Sequence, residues 1–365
     1  MTPDTDLRWM TTALALGRRG QGRVWPNPAV GCVLVKDGCV VGRGWTQPGG
    51  RPHAEVMALA QAGDAARGAT AFVTLEPCAH HGQTGPCADA LVQSGIARCV
   101  VATQDPDPRV AGKGIGILRN AGIPVDLGCA QAAADVAHAG FFTRLALGRP
   151  RVTLKLAMSL DGRIATASGE SQWITGPVAR RAVHRDRSLH DGVMVGAGTA
   201  RADDPTLTVR GMGITHQPVR IVASRKLDFD GANLAATMDQ APVWLLHGAD
   251  AGSRPANWTK QGARTFEVPS NGRLLDVSAM MQTLGDQGLT SVYCEGGAAL
   301  AASLLQADLV DDLVVYSAGL TIGAEGWPGL GALEQAVLSD CPRFDLRATG
   351  PVGPDVRHHW TRRRD

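Results

Sequence analysis

The sequence of 365 residues lacks three features that would place it in a specialised class of protein. It has no excess of charge, with 36 Lys and Arg against 34 Asp and Glu, so neither nucleic acid nor an anionic membrane surface is indicated as a partner. It has no apolar run approaching the roughly eighteen residues of a membrane span. Its first ten residues carry acids and no apolar core of a signal peptide. We therefore expect a cytoplasmic protein that binds neither nucleic acid nor membrane.

The cysteines are also unlike those of a disulfide-rich secreted protein. Eight of them are scattered through a long chain, a pattern that indicates a reducing compartment. The length is comfortable for two domains that each bury a core of their own. The run Gly148-Arg149-Pro150 has the composition of a linker, so we predict a first domain over residues 1–148 and a second over residues 149–365.

Reactive side chains are concentrated between Pro52 and Cys87. A His-x-Glu pair, His53 and Glu55, is followed by Cys78 directly after a proline, and eight residues separate the two cysteines. One imidazole and two thiolates can hold a zinc ion and leave its fourth tetrahedral position open for water. The pattern is the signature of zinc deaminases, in which the glutamate carries protons and does not bind the metal. We predict Zn²⁺ on His53, Cys78 and Cys87 with Glu55 as the catalytic proton carrier; the alternative is that these side chains only fill space.

Hydrophobic periodicity predicts alternating helices and strands in both halves. In the first half we predict helices at about 7–19, 54–62, 87–94, 114–121 and 131–147, and strands at 30–35, 39–45, 72–75, 98–103 and near 125. In the second half we predict helices at about 177–189, 274–284 and 297–305, and strands at 151–158, 192–195, 219–223, 243–247, 291–294 and 312–317. This alternation is typical of α/β domains, and the first should be a three-layer arrangement with the zinc site at one edge of its sheet. The arginines at 362–364 should form a solvated tail.

Two glycine-rich turns follow predicted strands in the second half. The turn at Gly196 and Gly198 lacks the third glycine of a dinucleotide-binding fingerprint, because Arg201 stands in that place. The turn at Gly296 and Gly297 precedes a helix of small residues, whose free N–H groups would suit a pyrophosphate. From these residues alone, nucleotide binding and an ordinary structural turn both stay open for the second turn.

Several runs, in order along the chain, resemble the family of bifunctional riboflavin-biosynthesis deaminase/reductases. They are residues 25–32, the zinc motif, and residues 104–112, 154–163, 168–175, 202–210 and 295–297. The resemblance implies a cytidine-deaminase-like first domain and a dihydrofolate-reductase-like second domain, with Zn²⁺ and NADPH as cofactors. It implies deamination of 2,5-diamino-6-ribosylamino-4(3H)-pyrimidinone 5′-phosphate, followed by reduction of the ribosyl side chain to give 5-amino-6-ribitylaminouracil 5′-phosphate. We also expect a homo-oligomer, either a dimer or a tetramer.

The resemblance also implies roles for residues of the second half, position by position. The implied NADPH contacts are Ala157, Trp173, Thr199, Asp203, Ser224, Gly297, Ala298, Ala299, Leu300, Ala301, Ala302 and Ser303. The implied substrate contacts are Ser171, Arg187, Leu207, Arg210 and Glu295. Arg187 and Arg210 can hold a phosphate in bidentate fashion. The simpler alternatives are that Arg187 is a surface charge, that Trp173 belongs to the core, and that Asp203 only caps a helix or forms a turn.

Some positions depart from the family pattern. Gln83 stands where a Lys or Arg is frequent, and Asp107 stands where Asn is usual, which leaves an acceptor in place of a donor and acceptor. Both changes bear on how the first domain grips its substrate. Ser224 replaces an Asp after a predicted strand, and the neighbouring Arg225 and Lys226 are candidate partners for the 2′-phosphate of NADPH.

Two other functions share part of this pattern. A nucleoside or base deaminase with a non-catalytic second domain would have the same zinc motif but no need of residues 151–365. A binding or regulatory protein that has lost catalysis is disfavoured, because all four side chains of the zinc motif are intact. His80 and His81 are expected to serve in the loop or the substrate pocket, since three metal ligands are already present.

Overall fold

The computed structural model describes residues 3–80, 85–108 and 110–364. The chain divides into two compact units, Met1–Leu147 and Gly148–Asp365, and each has its own main sheet. His81 and Gln83, singled out above, lie outside the described residues. Within the described ranges, every helix is too short or too polar to traverse a lipid bilayer.

The first unit is a five-stranded sheet flanked by helices. Its elements in chain order are α1 (Pro3–Gly17), β1 (Gly31–Lys36), β2 (Cys39–Trp45), α2 (Ala54–Ala62), β3 (Thr70–Val73), α3 (Cys87–Ser94), β4 (Arg98–Val101), α4 (Lys113–Asn120), β5 (Val125–Leu127) and α5 (Gln131–Leu147). The strand order is β2-β1-β3-β4-β5, with β1 antiparallel to both neighbours and β3, β4 and β5 parallel. The segments that follow β3 and β4 therefore leave the same edge of the sheet.

Alternation along β1 places an apolar layer on each face of this sheet. Cys32 and Leu34 pack in one cluster with residues of α2, α3 and α4. Val33 and Val35 pack in another with residues of α1 and α5. Because successive side chains of a strand point to opposite faces, one strand contributes to both cores. The predicted three-layer α/β arrangement of the first domain is confirmed.

The second unit is built on a nine-stranded mixed sheet. Its elements in chain order are β6 (Arg151–Ser159), β7 (Arg163–Ala165), α6 (Pro177–Ser188), β8 (Gly192–Gly196), α7 (Ala197–Asp203), β9 (Val219–Ala223), α8 (Ala232–Ala235), β10 (Val243–His247), α9 (Arg254–Lys260), β11 (Arg264–Glu267), β12 (Ser270–Asn271), β13 (Leu274–Leu275), α10 (Val277–Asp286), β14 (Ser291–Cys294), α11 (Ala298–Gln306), β15 (Asp312–Ala318), β16 (Trp327–Pro328), β17 (Phe344–Val352) and β18 (Asp355–Arg362). The order is β11-β10-β9-β8-β14-β6-β15-β18-β17.

Seven neighbouring strands of this sheet, from β11 to β15 in that order, run parallel. The last two, β18 and β17, are antiparallel to their neighbours. The turns that leave the carboxyl ends of β6, β8, β9 and β14 share one edge of the sheet. In open α/β sheets this is the edge where ligands bind.

The predicted helix at 274–284 was wrong at its start. Leu274 and Leu275 form the short strand β13, paired with β12. Helix α10 begins at Val277 because the side chain of Asp276 accepts hydrogen bonds from the N–H groups of Ser278 and Ala279, at 2.8 and 3.0 Å. Asp276 is therefore the N-cap of α10. The spacing of apolar residues alone does not reveal such a cap.

The expected solvated tail at 362–364 was also wrong. Arg362 belongs to β18, and its guanidinium pairs with Asp308 at 2.7 Å. Arg364 pairs with Asp308 at 3.1 Å and with the buried Asp311 at 2.9 Å. Asp311 also accepts from Arg149 at 2.7 Å. These ion pairs attach the end of β18 to the segment before β15.

Candidate functional site

Three side chains that can bind a metal meet beyond the carboxyl end of β3. His53 immediately precedes α2, Cys87 is the first residue of α3, and Cys78 lies between β3 and α3. The Nδ1 atom of His53 lies 3.6 Å from Cys78 Sγ and 3.3 Å from Cys87 Sγ. All three potential ligand atoms lie within 4.8 Å of one another, and the rest of the described chain offers no second group of this kind. One imidazole and two thiols are a donor set that suits zinc.

Hydrogen bonds within this group favour a thiolate at Cys78. The hydrogen bond with the Cys87 side chain, which outweighs burial and is helped by His53, lowers the pKa of the Cys78 thiol to about 4. The backbone N–H of Cys87 also donates to Cys78 Sγ at 3.3 Å. The same contact raises the pKa of Cys87. The fold thus stabilises one thiolate, and a bound cation would favour the second, as expected of metal ligands.

Glu55 is placed beside these sulfurs in the first turn of α2. It is only 3 % exposed, and burial, reinforced by the charge of Cys78, raises the pKa of its carboxyl to about 7. A carboxyl that titrates near neutral pH can both take and give a proton. The site therefore has a proton carrier next to its possible metal ligands.

Glu76 is a residue of this site that the sequence analysis missed. Its carboxylate accepts hydrogen bonds from the backbone N–H groups of Gly112 at 3.0 Å, Ile115 at 3.2 Å and Asp105 at 3.3 Å. It thereby fixes the segment after β4 against the turn that carries Cys78. In the sequence, its only signal was its place between Leu75 and Pro77, two positions before the predicted metal ligand Cys78.

A cavity of about 410 Å³ opens next to the zinc motif. Its lining includes Arg51, Arg144, His80 and Asp107 as well as Glu55. The Nδ1 atom of His80 is buried and has no hydrogen-bond partner among the described residues. Because buried polar atoms normally have a partner, this atom is available to hydrogen-bond a ligand. Asp107 is buried, and its backbone N–H donates to the Asp105 carboxylate at 2.8 Å.

In the second unit, a cavity of about 1160 Å³ brings together most of the residues predicted from the resemblance. The predicted residues that line it are Ala157, Ser171, Trp173, Arg187, Thr199, Asp203, Leu207, Arg210, Ser224, Glu295, Gly297, Ala298, Ala299, Leu300 and Ser303. Ala301 and Ala302 do not line it. They lie on the buried face of α11, at 0 and 5 % exposure.

A carboxylate between two cations forms one wall of this cavity. Glu295 follows β14, and its carboxylate accepts two hydrogen bonds from the guanidinium of Arg187, one of them at 3.0 Å. Lys155 Nζ lies 3.8 Å from Glu295 Oε2. Burial alone would raise the pKa of Glu295, but Arg187 and Lys155 outweigh it and lower the pKa to about 2. The carboxylate is therefore ionised throughout the physiological range.

Lys155 is the second functional candidate that the sequence analysis missed. It lies on β6 with 15 % of its side chain exposed, and burial lowers the pKa of its ammonium group. A lysine whose pKa is lowered in a cavity can donate a proton or a hydrogen bond to a ligand. The only signal in the sequence was a lysine in the middle of a predicted strand, between Leu154 and Leu156.

The two glycine-rich turns weighed above lie side by side at the edge of the sheet. The N–H of Gly196 donates to the carbonyl of Gly296 at 3.1 Å, and the Thr199 hydroxyl donates to the same carbonyl at 3.5 Å. Gly296 and Gly297 have φ angles of 78° and 83°, which favour glycine. A Cβ at Gly297 would lie 3.0 Å from Thr199 Oγ1. The glycine backbone at Gly297 and the first turn of α11 thus border the cavity. Free N–H groups at a helix N-terminus suit a phosphate group.

The simpler alternatives for Trp173 and Arg187 do not hold. Trp173 is not part of the core, because it is 66 % exposed, and the Arg180 guanidinium lies 4.4 Å from the centre of its ring. Arg187 is not a surface charge, because its side chain is only 11 % exposed and is paired with Glu295. Arg225, suggested above as a phosphate partner, pairs with Asp250.

Comparisons with known proteins agree with both units. Residues 3–103 match the cytidine and deoxycytidylate deaminase zinc-binding region, and residues 150–357 match the RibD C-terminal domain. The riboflavin biosynthesis protein RibD of Escherichia coli K12 is 44 % identical over 373 residues, covering 97 % of this chain and 98 % of its own.

Solved structures are similar over the whole chain. Acinetobacter baumannii RibD is 37 % identical with a TM-score of 0.89, covering 100 % of both chains. The diaminohydroxyphosphoribosylaminopyrimidine deaminase/5-amino-6-(5-phosphoribosylamino)uracil reductase of Thermotoga maritima is 32 % identical with a TM-score of 0.85, covering 99 % of both. A deaminase with a non-catalytic second domain is not favoured. The chain belongs to the RibD family of riboflavin biosynthesis and is a bifunctional enzyme, a zinc-dependent deaminase joined to an NADPH-dependent reductase.

Proposed function

We propose that residues 1–148 deaminate 2,5-diamino-6-ribosylamino-4(3H)-pyrimidinone 5′-phosphate and that residues 149–365 reduce the product to 5-amino-6-ribitylaminouracil 5′-phosphate. The observation that carries this proposal is the presence of two separate cavities, one beside His53, Cys78 and Cys87 and one beside Glu295. The Thermotoga maritima relative is named for a deaminase and a reductase of phosphoribosylamino pyrimidines, and this supports the two substrates.

In the deaminase site, His53, Cys78 and Cys87 would hold the zinc ion. Zinc in such a site supplies the Lewis acidity that makes water a nucleophile near neutral pH. Glu55 accepts the proton of the attacking water and delivers it to the departing amine, for which a pKa of about 7 is suited. Glu76 keeps the cavity wall in place through its three backbone hydrogen bonds. His80 and Asp107 lie where they can contact the substrate.

In the reductase site, NADPH supplies the hydride when bound. We assign its contacts to Ala157, Trp173, Thr199, Asp203, Ser224, Gly297, Ala298, Ala299, Leu300 and Ser303, all of which line the cavity. Ala301 and Ala302 would act indirectly, since they hold α11 against the core. Lys226 also lines the cavity and is the better candidate for the 2′-phosphate, because Arg225 is engaged by Asp250.

The substrate of the reductase would lie between Glu295 and the turn that carries Leu207 and Arg210. Arg210 provides positive charge for its phosphate, and Ser171 provides a hydroxyl. Arg187 contributes to substrate binding mainly by holding Glu295 in place. Glu295, ionised and held by Arg187, accepts hydrogen bonds from sugar hydroxyls. Lys155 can donate a proton or a hydrogen bond at the same wall.

We further propose that the enzyme is a cytoplasmic homo-oligomer, a dimer or a tetramer, and that it has no nucleic-acid partner. The near balance of 36 basic and 34 acidic residues supports the last point. Light scattering of the purified protein would test the oligomeric state.

The central experiment supplies the purified chain with the diaminopyrimidine phosphate and NADPH. Ammonia release should precede NADPH oxidation, and the deaminated intermediate supplied alone should be reduced without ammonia release. Release of ammonia from cytidine without NADPH oxidation would instead identify a nucleoside deaminase and overturn the proposal.

A further inference from the structure

Arg220 has a buried guanidinium that hydrogen-bonds only to uncharged groups among the described residues. It lies on β9 with 0 % exposure, and within the described residues its hydrogen bonds reach only carbonyl and hydroxyl oxygens. Its Nη1 donates to Thr237 Oγ1 at 2.6 Å and to Thr206 O at 3.3 Å, and its Nη2 donates to Thr237 O at 2.8 Å and to Ala241 O at 2.7 Å. Asp239 acts on the Arg220 guanidinium only through space, and burying a charge without a directly paired opposite charge is unfavourable. Such a residue calls for a reason beyond core packing.

One of these contacts reaches a strained turn. Leu207 has a φ of 55°, a left-handed conformation that is unfavourable for a residue with a side chain. The carbonyls on either side of it are both held by guanidinium groups, that of Thr206 by Arg220 and that of Thr208 by Arg187 at 2.8 Å. Strained backbone persists only where its surroundings over-determine it. The two arginines provide that restraint.

The same turn orients the side chains that face the reductase cavity. The Thr206 hydroxyl accepts a hydrogen bond from the Arg210 guanidinium and another from the Thr208 hydroxyl at 3.1 Å. Thr206, Leu207 and Arg210 line the cavity, whereas Arg220 does not. A displacement of Thr206 would therefore move both Leu207 and Arg210.

We propose that Arg220 is a positioning residue for the reductase substrate. Its buried guanidinium holds residues 206–208 in the one conformation that presents Leu207 and Arg210 to the ligand. The inference rests on the proposed function, in which those two side chains contact the substrate. It predicts that loosening Arg220 impairs binding of the pyrimidine phosphate and spares both NADPH binding and the deaminase.

The test compares two variants of the full-length enzyme with matched controls. Arg220→Lys keeps the charge but cannot make the forked contacts, and the KM for the deaminated substrate should rise about tenfold, the size expected for one lost hydrogen bond of a charged group. Thr237→Val removes one acceptor of Arg220 outside the cavity, and the same KM should rise about threefold. In both variants kcat should stay within about threefold of the wild type, and the KM for NADPH and ammonia release should be unchanged.

The controls are Arg264→Lys on β11 and Thr259→Val on α9, both at exposed positions, and neither should change the substrate KM. If Arg220→Lys shows no cooperative thermal unfolding and so does not fold, the substrate KM of Thr237→Val tests the inference alone. Substrate KM values equal to the wild type in every folded variant would overturn the inference, and so would equal rises in the KM for NADPH. A wild-type enzyme that fails to oxidise NADPH on the deaminated substrate would instead overturn the proposed function, and this inference with it.

Discussion

The two sites of this enzyme are assembled from the chain in different ways. The zinc motif takes its side chains from residues 53–87, at the starts of α2 and α3 and from the segment between β3 and α3. The reductase cavity takes its side chains from residues 155–329, spread over several strands and the turns that follow them. A site built from neighbouring segments has a motif that can be read directly. A site built from distant segments becomes visible only when the sheet has brought them together.

Each site also has an acidic side chain largely shielded from water, and the two acids differ in protonation. Glu55 lies near sulfurs and the pKa of its carboxyl is raised to about 7 by burial, so it can carry a proton. Glu295 is also shielded from water, but Arg187 and Lys155 lower its pKa to about 2, so it stays ionised. Since burial raises the pKa of both carboxyls, the cations beside Glu295 explain why that carboxyl stays ionised while Glu55 can transfer a proton.

Removal of zinc should separate the two sites most completely. Dialysis against a strong chelator should abolish ammonia release and leave NADPH oxidation on the deaminated substrate intact, because the candidate ligands all belong to the first unit. Cys87→Ser should lower the zinc content measured by metal analysis, whereas Cys39→Ser, at an exposed cysteine, should not. Parallel loss of both activities on chelation would break the comparison.

The variant Glu55→Gln should have the next largest effect. The amide cannot carry a proton, so ammonia release should fall by about 10²- to 10⁴-fold, while zinc content and NADPH oxidation stay unchanged. Asp64→Asn, at an exposed position of the same unit, serves as the control. Ammonia release within a few-fold of the wild type in Glu55→Gln would exclude Glu55 as the proton carrier.

The variant Lys155→Met should affect the reductase alone. It keeps the length of the side chain and removes the ammonium group that lies 3.8 Å from Glu295 Oε2. We expect kcat for NADPH oxidation to fall roughly 100-fold with ammonia release unchanged, measured on supplied intermediate. Lys260→Met, at the exposed end of α9, should leave both rates as they are. A normal kcat in Lys155→Met would limit this lysine to a structural role.

The remaining expected effect concerns the stability of the first unit at acidic pH. His138 is buried and burial lowers its pKa to about 4, below the usual 6.5, so the unfolded chain binds a proton first as the pH falls. Its contribution to stability is therefore full above pH 6.5 and is lost as the pH falls towards 4, by about 3 kcal/mol in all. Calorimetry of the wild type and His138→Gln should show a shallower pH dependence in the variant. Equal slopes would show that His138 does not titrate on unfolding.

Local signals in the sequence predicted much of the fold. The observed α2, α3 and α5 have the predicted bounds. Helix α3 begins directly after Pro86 and ends directly before Gly95, and these two residue types mark helix ends. The strand β9 also has its predicted bounds, since it is a short apolar run buried on both faces. The hairpin of β17 and β18 was not predicted, because most of β17 is exposed and its polar residues have no apolar alternation to detect.

The candidate sites were predictable to different extents for the same reason. The spacing of the zinc motif was enough to select its four side chains, which the fold does bring together. Lys155 and Glu76 were missed, because their importance depends on partners far away in sequence, at Glu295 and at Gly112. The resemblance predicted fifteen residues of the reductase cavity, but Ala301 and Ala302 point into the core, since the helix that carries them presents only one face to the cavity.

The place of β18 in its sheet affects when each half of the chain can fold during synthesis. The strand lies between β15 and β17, so the reductase half cannot complete its sheet until synthesis has passed Arg362. The deaminase half has all of its strands once Leu127 has emerged. Because domains tend to fold as units during translation, the half that releases ammonia should acquire its structure on the ribosome while most of its partner is still to be made.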